Sequence, residues 1–352
     1  PSSGAVSTQS QAQAAPAPDS ALEQAGAPGV EKRFVDAIQD ALRQSMRETP
    51  RLILMGQDIA DYGGVFKVTE GFLEAFGEQR VRNTPIIESG AIGAAIGLAM
   101  EGFPTMVEMQ FADFISCGFN QIVNNLSKGR YRWMPPLNVT IRAPHGAGVG
   151  AGPFHSQSPE GWFMAHPGMR IVVPATVADA QDMLWSALRD PNPVLFFEHK
   201  KLYRSLRSVV PELAGPTDLS RAAVRRAGTD VSVITFGFGV HWALEQADTW
   251  QQNEGVSIEV VDLRSLAPID MDTVLGSVRK TGRVLLLEEA PSTMGPMAEV
   301  SARIVAQAFE HLDAPILRCS SLDMPIPFNR NLERGYLPEE RLSADLRRIL
   351  AY

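Results

Sequence analysis

Cysteine is nearly absent: Cys117 and Cys319 are the only two in 352 residues. That excludes a disulfide framework and a thiolate zinc cage, and two unrelated reduced thiols are the ordinary reading. Positive charge is in the minority, with 32 Lys and Arg against 40 Asp and Glu, a net charge of −8. Such a chain is not built to wrap nucleic acid by bulk electrostatics. Long apolar runs are missing too. The best stretch, residues 91–100, is ten residues rich in Gly and Ala, well short of the ~18 of a membrane span. The N-terminus lacks a basic region followed by an apolar one, so no signal peptide is read there. A cytoplasmic protein of bacterial type is expected, with neither nucleic acid nor membrane as partner. Also lacking are a Walker phosphate loop, an H-E-x-x-H helix, a G-x-S-x-G elbow and a strand–GxGxxG–helix fingerprint. The common ATPases, zincins, serine hydrolases and Rossmann dehydrogenases are thereby set aside.

Hydrophobic residues make up 45% of the chain and charged residues 20%, enough to bury real cores over a length that suggests two domains. Residues 1–30 are mostly Ala, Ser, Pro, Gln and Gly. They read as a flexible tail, or as a linker from a longer polypeptide, because they cannot bury enough apolar surface to offset their ordering entropy. Short apolar runs then alternate with helical stretches. RLILMGQD, TMVEMQF, LNVTIRAP, RIVVPAT and VLFFEHK read as strands of one domain over 31–205. DVSVITFG, VSIEVVDL, RVLLLEEA and PILRCS read as strands of a second over 223–352, and 206–222 as the connection. The fold class is α/β, two domains with mostly parallel sheets. Ligands in such sheets bind at loops beyond the carboxyl ends of strands.

Four features carry chemistry. Glu88 ends a short apolar stretch where a helix begins, with Gly90, Gly93 and Gly97 along its side. It is either a capping acid on a tightly packed helix or a functional carboxylate. Helix-start amides favour its charged form and an apolar pocket disfavours it. His155 follows the glycine-rich stretch GAGVGAG, read as a mobile loop, and precedes a helix start at Ser158–Pro159. A ring at a loop rim can trade protons near neutral pH, or simply face solvent. EMQFADF delivers Gln110, Phe111 and Phe114 from a strand end to a cleft or to the core. Asp190 and Asn192 in RDPNP either hold a hard cation or turn the chain.

Six segments occur in this order: NTPIIESG, VEMQFADF, HSQSPEGWF, NPVLFFEHKKLYRS, VVDLRSLAPIDMDTV and KTGRVLLLEEAP. Over residues 32–352 the chain resembles the beta subunits of the thiamine-dependent decarboxylating component of 2-oxo acid dehydrogenase complexes. The resemblance implies a thiamine pyrimidine-binding domain followed by a transketolase C-terminal domain. It implies that Glu88 hydrogen-bonds the aminopyrimidine ring of thiamine diphosphate and that His155 faces the reacting centre. Ile86, Gln110 and Phe114 match cofactor-lining positions. Some relatives carry Tyr at 114, so a hydroxyl contact there would be missing. Leu137, Val139, Thr140, Ala187, Asp190 and Asn192 match a structural potassium site made largely of backbone carbonyls.

No G-D-G occurs in the sequence, so the magnesium–diphosphate half is expected from an alpha subunit, in a heterotetramer of two alpha and two beta subunits. The implied activity is oxidative decarboxylation of a 2-oxo acid, with reductive acylation of the lipoyl groups of an acyltransferase core. Acidic residues such as Glu339 and Glu340 would meet a basic module of that core. HSQSPE and QFADF lean toward the branched-chain (2-oxoisovalerate) type. Pyruvate and acetoin dehydrogenase beta subunits are the alternatives, and a transketolase-type fragment or a non-catalytic scaffold paralogue the more distant ones.

Overall fold

The computed structural model describes residues 29–133 and 135–352. The tail expected over residues 1–30 therefore lies almost wholly outside the described residues. The strands run β1 (Val30–Arg33), β2 (Ile53–Gly56), β3 (Val81–Asn83), β4 (Thr105–Glu108), β5 (Val139–His145), β6 (Arg170–Val172), β7 (Val194–His199) and β8 (Arg207–Val210). They continue with β9 (Ala223–Arg226), β10 (Val231–Thr235), β11 (Ile258–Asp262), β12 (Ser265–Ala267), β13 (Val284–Pro291) and β14 (Leu317–Ser321).

The first sheet has seven strands in the order β12-β6-β7-β5-β4-β2-β3, parallel except for β12. The second has five, β14-β13-β10-β11-β9, parallel except for β9. β2, β4, β5, β7, β10 and β11 are buried along their whole length. Burial on both faces is why their sequences read as near-continuous apolar runs. The helix Phe34–Glu48 shows the complementary pattern, burying Phe34, Ile38, Leu42 and Met46 on one stripe.

Two features tie the domains together. β12 comes from the second half of the chain yet pairs antiparallel with β6 at the edge of the first sheet. One apolar cluster runs from Phe163, Ile171, Val173 and Phe197 to Val261, Leu263, Leu266 and Met297. Residues 206–222 are not bare connection, because β8 pairs antiparallel with β1 over four residues. The helix beyond His155 starts at Gly161, three residues past the Ser158 cap read from sequence.

Within β5, Arg142 is fully buried between Glu108 of β4 and Glu198 of β7 (Nη1–Oε2 2.5 Å and Nε–Oε1 2.6 Å). The Tyr203 hydroxyl donates to Glu198 Oε2 at 2.6 Å. Registered strands set these residues on one sheet face, and against the lowering effect of burial the two carboxylates raise the guanidinium's pKa. Such a cluster holds only because each charge is met.

Candidate functional site

Strands β2, β3 and β4 end in register: Gly56 pairs with Asn83 and with Glu108. The residues that follow each strand therefore emerge on one rim. From β2 come Gln57 and Asp58, from β3 the turn leading to Ile86, Ile87 and Glu88, and from β4 Gln110, Phe111 and Phe114.

Glu88 begins the helix Glu88–Met100 and is 9% exposed. Its Oε1 accepts from Gln57 Nε2 at 3.0 Å, and its Oε2 makes no hydrogen bond to the described residues. The helix start suits a negative charge. Just before it, Ile86 is 84% and Ile87 51% exposed. Ile87 is also the N-cap, with no side-chain cap bond. Two bare isoleucines beside a half-open carboxylate are costly unless a partner or ligand covers them. The glycines divide their roles. Gly93 packs on Gln121, while Gly90 and Gly97 face outward.

His155 stands edge-on to Phe111 (ring centroids 4.5 Å apart, planes at 85°) and to Phe114 (5.5 Å, 80°). Phe66 backs Phe111 at 5.6 Å and Tyr203 backs Phe66 at 5.0 Å. The contact on two sides limits the imidazole's rotation. Gln110 Nε2 donates to Asp58 Oδ2 at 3.2 Å, turning its amide along the rim. The turn bearing Phe114 packs on the start of the Glu88 helix, since a Cβ at Gly118 would sit 3.8 Å from the Glu88 carbonyl carbon. Glu88, Gln110, Phe114 and His155 are thus assembled from three chain segments, those following β3, β4 and β5.

The glycine-rich loop before His155 is pinned rather than mobile. Ala147 N–H donates to Glu289 Oε1 at 2.6 Å, and Gly148 N–H to Glu333 Oε1 at 3.0 Å. Behind it lie more buried ionisable groups. His145 Nδ1 is 2.5 Å from Glu160 Oε1, and His199 Nε2 is 2.8 Å from Glu289 Oε2. Burial lowers the His199 pKa; burial also works to raise Glu289, but its contacts with His199 and then the Ala147 N–H outweigh that and hold it at about 2. Lys200 donates to the Gly146 carbonyl at 2.7 Å, and burial lowers it to about 8.

The six residues matched to a potassium site meet at one corner. Leu137, Val139 and Thr140 lie at the start of β5, and Ala187, Asp190 and Asn192 at and beyond the end of the helix Val177–Ala187. Thr140 Oγ1 donates to the Ala187 carbonyl at 3.1 Å. The Asp190 carboxylate is engaged by Arg170 at 2.5 Å and by Asn192 at 2.8 Å. What this corner offers an ion is backbone carbonyl oxygen.

Gln57, Phe66, Glu289 and Glu333 escaped the sequence reading. The strand-end rule points at Gln57 directly, because it follows the apolar run ILMG. Nothing local marks Glu289 or Glu333.

Comparison with known proteins bears on this assembly. The pyrimidine-binding domain of transketolase matches residues 31–205, and the transketolase C-terminal domain residues 220–341. The pyruvate dehydrogenase E1 component subunit beta of Bacillus subtilis is 42% identical over 88% of this chain and 95% of its own length. The chain belongs to the E1 beta subunits of the thiamine-dependent 2-oxo acid dehydrogenases. Other E1 beta relatives carry different substrate names at similar identity. The 2-oxoisovalerate dehydrogenase subunit beta of Bacillus subtilis is 40% identical over 91% of this chain and 98% of its own length. The 3-methyl-2-oxobutanoate dehydrogenase subunit beta of Mycobacterium tuberculosis is 41% identical over 90% of this chain and 91% of its own length. A solved split-gene transketolase, described as an inactive beta4 tetramer, superposes with a TM-score of 0.72 at 25% identity, covering 91% of this chain and 98% of that one. Among the described residues no helix of this E1 beta chain is long and apolar enough to cross a membrane.

Proposed function

We propose that this E1 beta chain supplies the pyrimidine-facing half of a thiamine diphosphate site that it shares with an alpha subunit, in a heterotetramer of two alpha and two beta subunits. One observation carries the reading: the buried carboxylate of Glu88, tied on one oxygen to Gln57 and open on the other, sits beside exposed Ile86 and Ile87. The donor set fits a flat, weakly basic ring. Glu88 Oε2 shares a proton in a hydrogen bond with a ring nitrogen, Ile86 and Phe114 give apolar contact, and Gln110 gives a polar edge. When bound, thiamine diphosphate supplies the electron sink for decarboxylation of a 2-oxo acid.

The chain's own residues do the rest. Glu88 orients the ring and holds a proton at its carboxylate, with Gln57 fixing the rotamer. His155, braced by Phe111 and Phe114, moves a proton at the reacting centre. The Phe114 ring excludes water there and offers no hydroxyl. The absence of G-D-G from the sequence supports the assignment of the magnesium and diphosphate contacts to the alpha subunit. Acyl transfer to the lipoyl group of an acyltransferase core, a cytoplasmic setting, and a potassium ion held by carbonyls at the Thr140–Ala187 corner complete the proposal.

Branched-chain 2-oxoisovalerate is the proposed substrate, supported by the HSQSPE and QFADF segments. Pyruvate is the second reading, favoured by the 42% identity to a pyruvate enzyme's beta subunit. Steady-state rates of the assembled enzyme on both acids test this. A higher kcat/KM for 2-oxoisovalerate is expected, and equal or greater preference for pyruvate overturns it.

A further inference from the structure

The loop that carries His155 is shaped to grip an anion, and the anion comes from the other domain. Gly146, Gly148, Gly150 and Gly152 have φ of 91°, 82°, 72° and 71°, values that side chains with a Cβ adopt only with strain. Alternating positive-φ glycines turn successive backbone N–H groups toward one centre, the geometry of an anion nest. Glu333 occupies it. Gly148 N–H donates to its Oε1 at 3.0 Å, and Gly150 N–H to Oε1 at 3.3 Å and Oε2 at 3.0 Å. Glu333 is itself buried, on the helix Arg330–Tyr336 of the C-terminal domain. Glu289 of β13 takes the neighbouring Ala147 N–H.

The glycines also leave room that the C-terminal domain fills. A Cβ at Gly152 would meet the Phe328 ring at 2.2 Å. On the far side of His155, Asp113 of the first domain accepts from Gln157 N–H at 3.1 Å and from its Nε2 at 2.9 Å. His155 is therefore the middle of a segment fixed at both ends, upstream by the second domain and downstream by the first.

We infer that Glu333 is a positioning residue: by filling the glycine nest it sets where His155 stands against Phe111 and Phe114, and so gives the C-terminal domain a part in the chemistry. The inference rests on the reading of His155 as the proton-moving residue. Glu333 acts through the loop.

The test uses the full chain assembled with its alpha subunit, as wild type, E333Q and E333D. Glutamine keeps the size but turns an NH2 toward backbone donors. Aspartate keeps the charge one methylene short. Amide exchange of the 146–154 peptide should quicken about ten-fold or more in E333Q, the scale of losing charge-assisted hydrogen bonds, with β5 and β13 peptides unchanged. Carbethoxylation of His155, read by mass spectrometry, should change rate at least about three-fold. The kcat for lipoyl acylation should fall about ten-fold with KM for the 2-oxo acid held within about two-fold, and E333D should recover part of it. Unchanged exchange and carbethoxylation in E333Q overturn the inference, as does a loosened loop with full kcat. Loosening of both domains in both variants assigns Glu333 to folding and overturns it as well. A wild-type assembly inert toward every 2-oxo acid sinks the functional reading instead, and exchange with carbethoxylation still decides whether Glu333 positions His155.

Discussion

Gln57 Nε2 donates to Glu88 Oε1 at 3.0 Å, joining the end of β2 to the first turn of the helix that follows β3. The bond fixes one carboxylate oxygen and leaves the other free to hydrogen-bond a ligand. Replacing Gln57 by leucine frees the rotamer without removing the acid. A fall in kcat of about ten-fold is expected in the assembled enzyme, with secondary structure unchanged by circular dichroism. That is smaller than the ~10²–10⁴-fold that a positioned acid or base contributes.

Ile87 is an exposed apolar residue at an N-cap, a place where Asp would bond the free backbone N–H groups. Its side chain lies over Gly90. Ile87→Asp should stabilise the isolated chain by about 1 kcal/mol in urea unfolding and weaken association with the alpha subunit in sedimentation. A variant that is both less stable and fully associating would show that the alpha subunit does not cover Ile87.

Arg142 carries the charge balance of the first sheet. Arg142→Met leaves Glu108 and Glu198 facing each other with the Tyr203 hydroxyl as the remaining donor. A loss of about 3–5 kcal/mol is expected, the scale for breaking a buried ion cluster on one side. Urea midpoints at constant slope check it. Tyr203→Phe should cost about 1.5–3 kcal/mol, because it removes one hydrogen bond to a charged acceptor.

Lys200 gives a pH signature. Burial lowers it from 10.5 to about 8, against the opposing pull of Asp113, Glu289, Glu160 and Glu333. Between those values the unfolded chain binds the proton and the folded chain does not, so Lys200's contribution to stability rises with pH from about 8 to 10.5. Below pH 8 it carries a penalty of about 3 kcal/mol. The stability difference between wild type and Lys200→Met should therefore move in favour of wild type as pH rises from 7 to 10. A flat difference in urea titrations would contradict the shift.

The apolar runs of β2, β4, β5, β7, β10, β11 and β13 were legible in the sequence because both faces of each strand are buried. β1, β3, β8, β9 and β12 were not. Each is three or four residues long, and all five are edge strands, where nothing demands an apolar pattern. β12 is the harder case, since residues 265–267 complete a sheet whose other strands end at residue 199. The resemblance carried Glu88, Gln110, Phe114 and His155 to one rim. Their supports stayed hidden for a physical reason: Glu333 meets Gly148 across 185 residues of chain, and only the packing of the two domains brings them together. The glycines that receive it read as freedom, and the fold uses them as a socket.

The most direct test of the shared site is turnover of a 2-oxo acid with thiamine diphosphate and magnesium by this chain alone, by the chain assembled with its alpha subunit, and by the same assembly carrying Glu88→Gln. No turnover from the chain alone, turnover from the assembly, and a loss of about 100-fold or more with Glu88→Gln are expected. Decarboxylation by the isolated chain, or an assembly indifferent to Glu88, would contradict the account.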